Sequence, residues 1–373
     1  MEKDILQEKA EVFSAFRLDG EVVSAVCYGS GHINASFLVQ TRKPDGTVEQ
    51  AIIQRINTDI FTQPEKLMEN VVGVTAFLRQ RILENGGDPE RETLNVIPTK
   101  EGRPYFTDAD GNCWRSYRFV TDAIGYDRVE DPEDFYQSAV AFGNFQRLLA
   151  DYPAETLHET IPGFHDTAAR LEVFKKAVAE DVCGRAAGVK EEIDFYLSQE
   201  KLAYICGDLM KNGEIPLRVT HNDTKLNNVL IDNRTHKGIC VIDLDTVMPG
   251  LAIHDFGDAI RFGASTGAED ERDLSKIRCD MELFRLYAKG FVEGCGGRLT
   301  PREIELLPLG ALVMTYECGM RFLTDYLQGD VYFRIHRPGH NLDRARTQMT
   351  LLQDMQKNED AMNRIIRKLQ AET

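Results

Sequence analysis

The hydrophobic period of this chain changes once, near residue 124, and that change restricts the fold more than any other feature. Before it, short apolar runs sit between turn residues. "EVVSAVCYGSGHINASFLVQT" (21–41) reads as a strand, a Gly-rich turn and a second strand, and "KPDG" (43–46) turns the chain into a third, "VEQAIIQRI" (48–56). Residues 64–87 then repeat apolar positions at three and four, open on Pro64 and stop at paired glycines, as a helix does. "RPYFTDADGNCWRSYRFV" (103–120) is a hairpin about Asp110-Gly111. After the change, 132–152, 167–182 and 190–213 are amphipathic helices, and helices resume after a short strand-bearing block at 217–245. The expected architecture is α+β in two lobes: residues 1–120 with an antiparallel sheet and one helix, and 121–373 mainly helical.

A formal charge of −16 on 373 residues excludes nucleic-acid binding through a broad basic surface. The eight cysteines are scattered without a C-x-x-C pair, which favours free thiols in a reducing compartment over a disulfide frame or zinc site. The opening "MEKDILQEKAEVFSAF" is an acidic amphipathic helix rather than a targeting segment, and no apolar run reaches membrane-spanning length. These features predict a cytoplasmic protein with neither nucleic-acid nor membrane partners. Oligomeric state stays open.

The block at 217–245 carries the chemistry. In "THNDTKLNNVLIDN" (220–233), His221, Asp223 and Asn228 stand at H-x-D-x-x-x-x-N spacing. Fifteen residues beyond Asn228, the apolar strand of "GICVIDLDT" ends in Asp243 and Asp245. Phosphoryl transfer uses such a set: one carboxylate to orient the attacking hydroxyl, then an amide and a carboxylate to hold Mg²⁺ on the phosphates. Turn-forming Asn and Asp explain parts of the pattern, but not the second carboxylate at the end of a buried strand. His221 is expected to brace the loop backbone.

Together with "CVIDLDTVMPGLAIHDFGDAIRFGAS" (240–265), this block resembles the aminoglycoside phosphotransferase and choline kinase superfamily, whose fold is protein-kinase-like. "GSGHIN" (29–34), "IIQRIN" (52–57), "RFLTDYLQGDVYF" (321–333) and "HNLDRARTQ" (340–348) are similar to the N-acetylhexosamine 1-kinases within it, so the likeness spans most of the chain. The resemblance implies ATP and Mg²⁺ as cofactors, Asp223 as the base, and Asn228 and Asp243 as metal ligands, with Asp245 as a further candidate. The turn of Gly29, Ser30, Gly31, His32 and Asn34 would cover the phosphates. Protein kinases place a lysine on the third strand, whereas this strand offers Gln54 or Arg55. Alternation points only one inward, and Arg55 supplies the charge that phosphate neutralisation needs. Its helix partner would be Glu65 or Glu69, unless both are solvent-face carboxylates.

Adenine is expected against the segment joining the lobes, at Phe119 and Val120. Arg261, Arg321, Asp325 and Tyr326 are candidates for holding a sugar, with His340 and Arg344 further along. Arg321 and Asp325 are also spaced as a helical ion pair. Asp255 and Asp258 are expected to fix the loop beneath the metal site. An aminoglycoside kinase, or an amino-alcohol kinase of the choline or homoserine type, would use the same catalytic parts. A non-catalytic nucleotide-binding module would have lost one of Asp223, Asn228 and Asp243, and all three are present.

Overall fold

The computed structural model describes residues 2–29 and 33–372. Two short helices, α1 (Glu2–Glu8) and α2 (Ala10–Ala15), precede the strands β1 (Glu21–Cys27), β2 (Ala35–Arg42) and β3 (Val48–Arg55). Helix α3 (Pro64–Glu84) follows, then β4 (Phe106–Thr107) and β5 (Cys113–Arg118). These strands form one antiparallel sheet in the order β1-β2-β3-β5-β4. One face of the sheet is sealed by α2, where Val12, Phe13 and Phe16 pack on Ala25, Val39, Ile53 and Trp114. Trp114 is 1% exposed, and its indole N–H is satisfied at 2.8 Å by Asp108 Oδ2 in the preceding turn. Burying such a side chain stabilises by about 2–3 kcal/mol.

Beyond the sheet, the short strand β6 (Ala123–Ile124) leads to helix α4 (Pro132–Leu148), capped by Asp131 with Pro132 in its first turn. Helices α5 (Thr167–Glu180), α6 (Lys190–Ser198) and α7 (Lys201–Lys211) follow. The sequence predicts one helix over 190–213, but the chain breaks between α6 and α7. A turn at residues 199–200 separates them, with α6 packing on the C-terminal helix, α7 on α5, and both on the helix over 307–328. Strand β7 (Arg218–Thr220) opens the catalytic block, and β8 (Val229–Asp232) and β9 (Gly238–Val241) form a small antiparallel sheet with β6. Strand β10 (Met248–Gly250) returns beside β7, and helices α8 (Ala252–Gly263), α9 (Met281–Cys295), α10 (Pro301–Glu305), α11 (Leu307–Gln328) and α12 (His340–Glu372) complete the chain.

Helix α8 crosses α11 at Gly257 and Gly310, so closely that a Cβ on Gly257 would lie 2.2 Å from Gly310 O. This contact drives α8 into the interior, where eleven of its twelve residues, Asp255, Asp258 and Arg261 among them, are buried below the catalytic block. All eight cysteines are free. Among the described residues, no helix is long and apolar enough to cross a membrane.

Candidate active site

The loop after β7 is built from below by two carboxylates of α8. Asp255 accepts the backbone N–H groups of His221 at 2.9 Å and Asn222 at 2.8 Å, and also the Gln146 amide. Asp258 accepts the N–H of Thr224 and is paired with Arg261. These contacts satisfy a loop that would otherwise bury unpaired backbone donors, and they let Asn222 hold a left-handed φ of 64°. His221 is fully buried; its Nδ1 accepts from Asp223 N, so Nε2 carries the proton and donates to Ile242 O at 2.8 Å. His221 therefore joins the two halves of the block as backbone bracing.

Asp223 reaches the cleft. Its Oδ1 lies 2.7 Å from Lys225 Nζ, and Oδ2 accepts the Asn228 amide at 3.1 Å. Burial alone would raise this carboxyl, but the adjacent ammonium prevails and holds it below the usual range. Asn228 also donates to Asp223 O, and Ile242 donates from its N–H to Asn228 O, which fixes the distance between the loop and the end of β9. There Asp243 takes a left-handed φ of 58°. Its carboxylate is solvent-accessible at the cleft yet hemmed in by protein; this crowding, with Asp245 and Asp223 nearby, pushes it up to about 6.

Asp245 differs from the metal-ligand expectation. It is 3% exposed, and both carboxylate oxygens are already committed, Oδ1 to the Arg115 guanidinium and Oδ2 to the Asn34 amide at 2.7 Å. Both oxygens are engaged by N–H donors of the sheet lobe, so Asp245 serves as an anchor between the two lobes.

Arg55 is also corrected. In the β3–β5 register it stands opposite Trp114, on the sheet face covered by α2, and it is exposed. Gln54 stands opposite Arg115 on the other face, where it accepts from Arg115 Nε at 3.1 Å and donates to Ser36. Glu69 pairs with His158 and Glu65 is exposed, so neither meets a β3 cation. The cation behind the cleft is Arg115 on β5, fully buried and unanticipated from sequence.

Phe119 meets Tyr28, at the end of β1, edge to face at 5.7 Å, and Val120 is buried in the main core. Gly29 has a φ of 84°, which suits glycine; Ser30, Gly31 and His32 lie outside the described residues. Asn34 donates its amide N–H to Asp245 and accepts from Asn57 N, which ties the turn to the helical lobe.

The four sugar candidates separate. Arg261 is buried between Asp258 and Glu269 and acts on the loop from beneath. Asp325 is 2% exposed and caps the chain after α11, accepting the N–H groups of Val331, Tyr332 and Phe333. Tyr326 lies against the Arg185 guanidinium. Asp325 is thereby committed to backbone, and among the described residues no Arg321–Asp325 ion pair forms. Of the two residues further along, His340 pairs with Asp270, and Arg344 bonds Arg334 O and Asn341. Arg321 remains. Its guanidinium stands over the rings of Phe164, Tyr332 and Phe333 at 5.1–5.8 Å. Phe164 adjoins His165, which bridges Glu317 and Asn222 O and so places this aromatic corner beside the catalytic loop.

The donor set suits a hard cation. The Asn228 amide and the Asp243 carboxylate, raised by burial and then by its anionic neighbours, are oxygen ligands of the kind Mg²⁺ takes, with waters filling the rest. No group of three His, Cys, Asp or Glu side chains among the described residues is arranged for a metal.

Comparison with known proteins agrees with this architecture. The microcompartment-associated aminopropanol kinase superposes with a TM-score of 0.57 at 15% identity, covering 96% of this chain and 98% of that one. Choline kinase from Cryptosporidium parvum Iowa II gives 0.53 at 15%, covering 91% of each chain. Spectinomycin phosphotransferase APH(9)-Ia, in complex with ADP and spectinomycin, gives 0.53 at 15%, covering 95% and 98%. At such identities the likeness establishes the fold, an antiparallel-sheet N-lobe on a helical C-lobe, as in other kinase-like proteins. A family model described as the phosphotransferase enzyme family matches residues 28–285, well over half of the chain, and the chain belongs to that family.

Proposed function

We propose that this phosphotransferase moves the γ-phosphoryl group of ATP to the anomeric hydroxyl of an N-acetylhexosamine, N-acetylglucosamine or N-acetylgalactosamine, releasing the sugar 1-phosphate and ADP. Asp223 orients the O1 hydroxyl and accepts its proton as the O–P bond forms and the bond from the γ-phosphorus to the bridging oxygen breaks. O1 is the most acidic hydroxyl of a reducing sugar, so little proton abstraction is needed in a loose transition state. Lys225, beside the base, keeps it ionised and supplies positive charge where the phosphoryl group passes. Asn228 and Asp243 would hold Mg²⁺, which when bound neutralises the β- and γ-phosphate oxygens. Residues 1–120, with Phe119 and Val120 at the lobe junction, would hold the nucleotide; residues 121–373 would hold the metal and the sugar.

The observation that carries the choice of acceptor is Arg321. A guanidinium framed by Phe164, Tyr332 and Phe333 offers planar donors and an apolar wall, which fits hydroxyl and acetamide oxygens. It puts positive charge where a cationic amino-alcohol or aminoglycoside would want carboxylates, and the nearby Glu317 is occupied by His165 and Thr167. The similarity of residues 321–333 and 340–348 to the N-acetylhexosamine 1-kinases supports the same acceptor. The test is a panel of free N-acetylhexosamines, choline, ethanolamine and kanamycin, with ADP release as the readout. Preferred turnover of choline or kanamycin would refute the sugar assignment.

A further inference from the structure

We propose that Asp245, Arg115 and Asn34 form the tie that sets Asp243 at the cleft, a link between the two lobes in a chain whose third strand presents no lysine to the cleft. The inference rests on the reading of Asp243 as a metal ligand. The cleft face of β3 presents Gln54, and Glu65 and Glu69 of α3 point elsewhere. Two parts of the sheet lobe instead meet at one carboxylate of the helical lobe. Arg115, in the middle of β5, binds Asp245 Oδ1 and is steadied by Gln54. Asn34, just ahead of β2, donates to Oδ2 while its own carbonyl oxygen accepts Asn57 N at 3.0 Å. From the C-lobe side, Thr160 Oγ1 donates to Asp245 O at 2.8 Å. Asp245 is therefore fixed through side chain and backbone.

Asp243 lies two residues before this anchor, in a left-handed backbone conformation that a non-glycine residue keeps only where its surroundings hold it. His221 fixes the residue between strand and aspartate by bonding Ile242 O. The anchor at Asp245 fixes the other side, so Asp243 is held between two clamps. A buried ion pair is a poor source of stability against apolar replacements of similar volume. Its physical rationale here is geometric: the pair ties the sheet to the loop that presents the metal ligand. Asp245, Arg115 and Asn34 are thus positioning residues that act through Asp243.

Calorimetry with ADP, with and without Mg²⁺, tests this without any acceptor. The wild-type protein should bind ADP more tightly with Mg²⁺ than without. In the double variant Arg115→Met/Asp245→Leu, which replaces both buried charges together and so avoids stranding either, that metal-dependent gain should fall by about tenfold. Metal-free ADP affinity should stay within about twofold of wild type, a margin well below the typical coupling range. Asn34→Ala, which leaves the buried ion pair intact, should lose part of the same gain, and Arg115→Lys, which keeps the charge, should retain most of it. An undiminished gain in both Asn34→Ala and the double variant overturns the tie, as does an equal loss of metal-free and metal-bound affinity. No metal-dependent gain in the wild type overturns the underlying reading of Asp243 itself.

Discussion

Lys225 holds its ammonium 2.7 Å from Oδ1 of Asp223, two residues away along the same loop. A carboxylate crowded by protein would otherwise favour its proton; the cation reverses this and keeps Asp223 an acceptor. Replacing Asp223 by Asn preserves shape and removes both charge and proton acceptance, so kcat should fall about 10²–10⁴-fold with little change in ATP affinity. Steady-state kinetics with nucleotide-binding calorimetry checks it, and wild-type turnover would remove Asp223 from the mechanism.

Lys225→Met should also lower kcat, by about 10²-fold, because a preorganised cation is lost at the point of transfer. With its cation gone, Asp223 holds its proton to higher pH, so the acid limb of the kcat/KM profile should move upward. A profile that keeps its position would limit Lys225 to a structural part.

Asp243→Asn removes the anionic oxygen from the metal set and should weaken Mg²⁺-dependent nucleotide binding far more than metal-free binding. Titration of ATP with and without Mg²⁺ measures the difference.

On β3, Arg55→Ala should leave the KM for ATP nearly unchanged, since Arg55 sits on the face covered by α2. Arg321→Ala, by contrast, should raise the KM of the acceptor by about tenfold or more, in keeping with the loss of a charged hydrogen bond, while sparing the KM for ATP. The opposite ranking would put the phosphate cation back on β3.

Acid should destabilise the fold through two buried neighbours. His254 is pushed down to about 3 by burial, aided by the nearby His165, so as pH falls below about 6.5 the unfolded chain binds a proton that the folded chain refuses. Burial opposes the ionisation of Glu317, but His165 and Thr167 hold it down to about 2, so between about 4.5 and 2 it too binds its proton more readily when unfolded. Each group then costs about 1.4 kcal/mol per pH unit within its window. Urea unfolding at pH 7, 5.5, 4 and 3 should show stability falling throughout, and Glu317→Gln should flatten only the part below about 4.5.

Much of this was legible in the sequence where the signal is local. The period change near residue 124, the capped start of α4 and the H-x-D-x-x-x-x-N spacing each depend on neighbours along the chain. What stayed hidden depends on contacts between distant segments. Arg115 sits in an ordinary strand, and its partner is 130 residues away. Alternation along β3 separates Gln54 from Arg55 but cannot choose the inward face; α2, packing on Trp114, makes that choice. Asp325 has the spacing of an ion pair with Arg321, yet three N–H groups at 331–333 in the turn after α11 claim it first. Lys225 lay in plain view within the motif, at a position the motif leaves free.

The central claim is transfer to O1 of a free N-acetylhexosamine, and NMR of the product formed from N-acetylglucosamine and ATP tests it directly. The expected spectrum shows an anomeric proton coupled to phosphorus, with one ADP per sugar 1-phosphate, and the methyl glycoside, which lacks a free O1, should be inert. Phosphorylation of the methyl glycoside as fast as the free sugar, or phosphorus on any other oxygen, would contradict it.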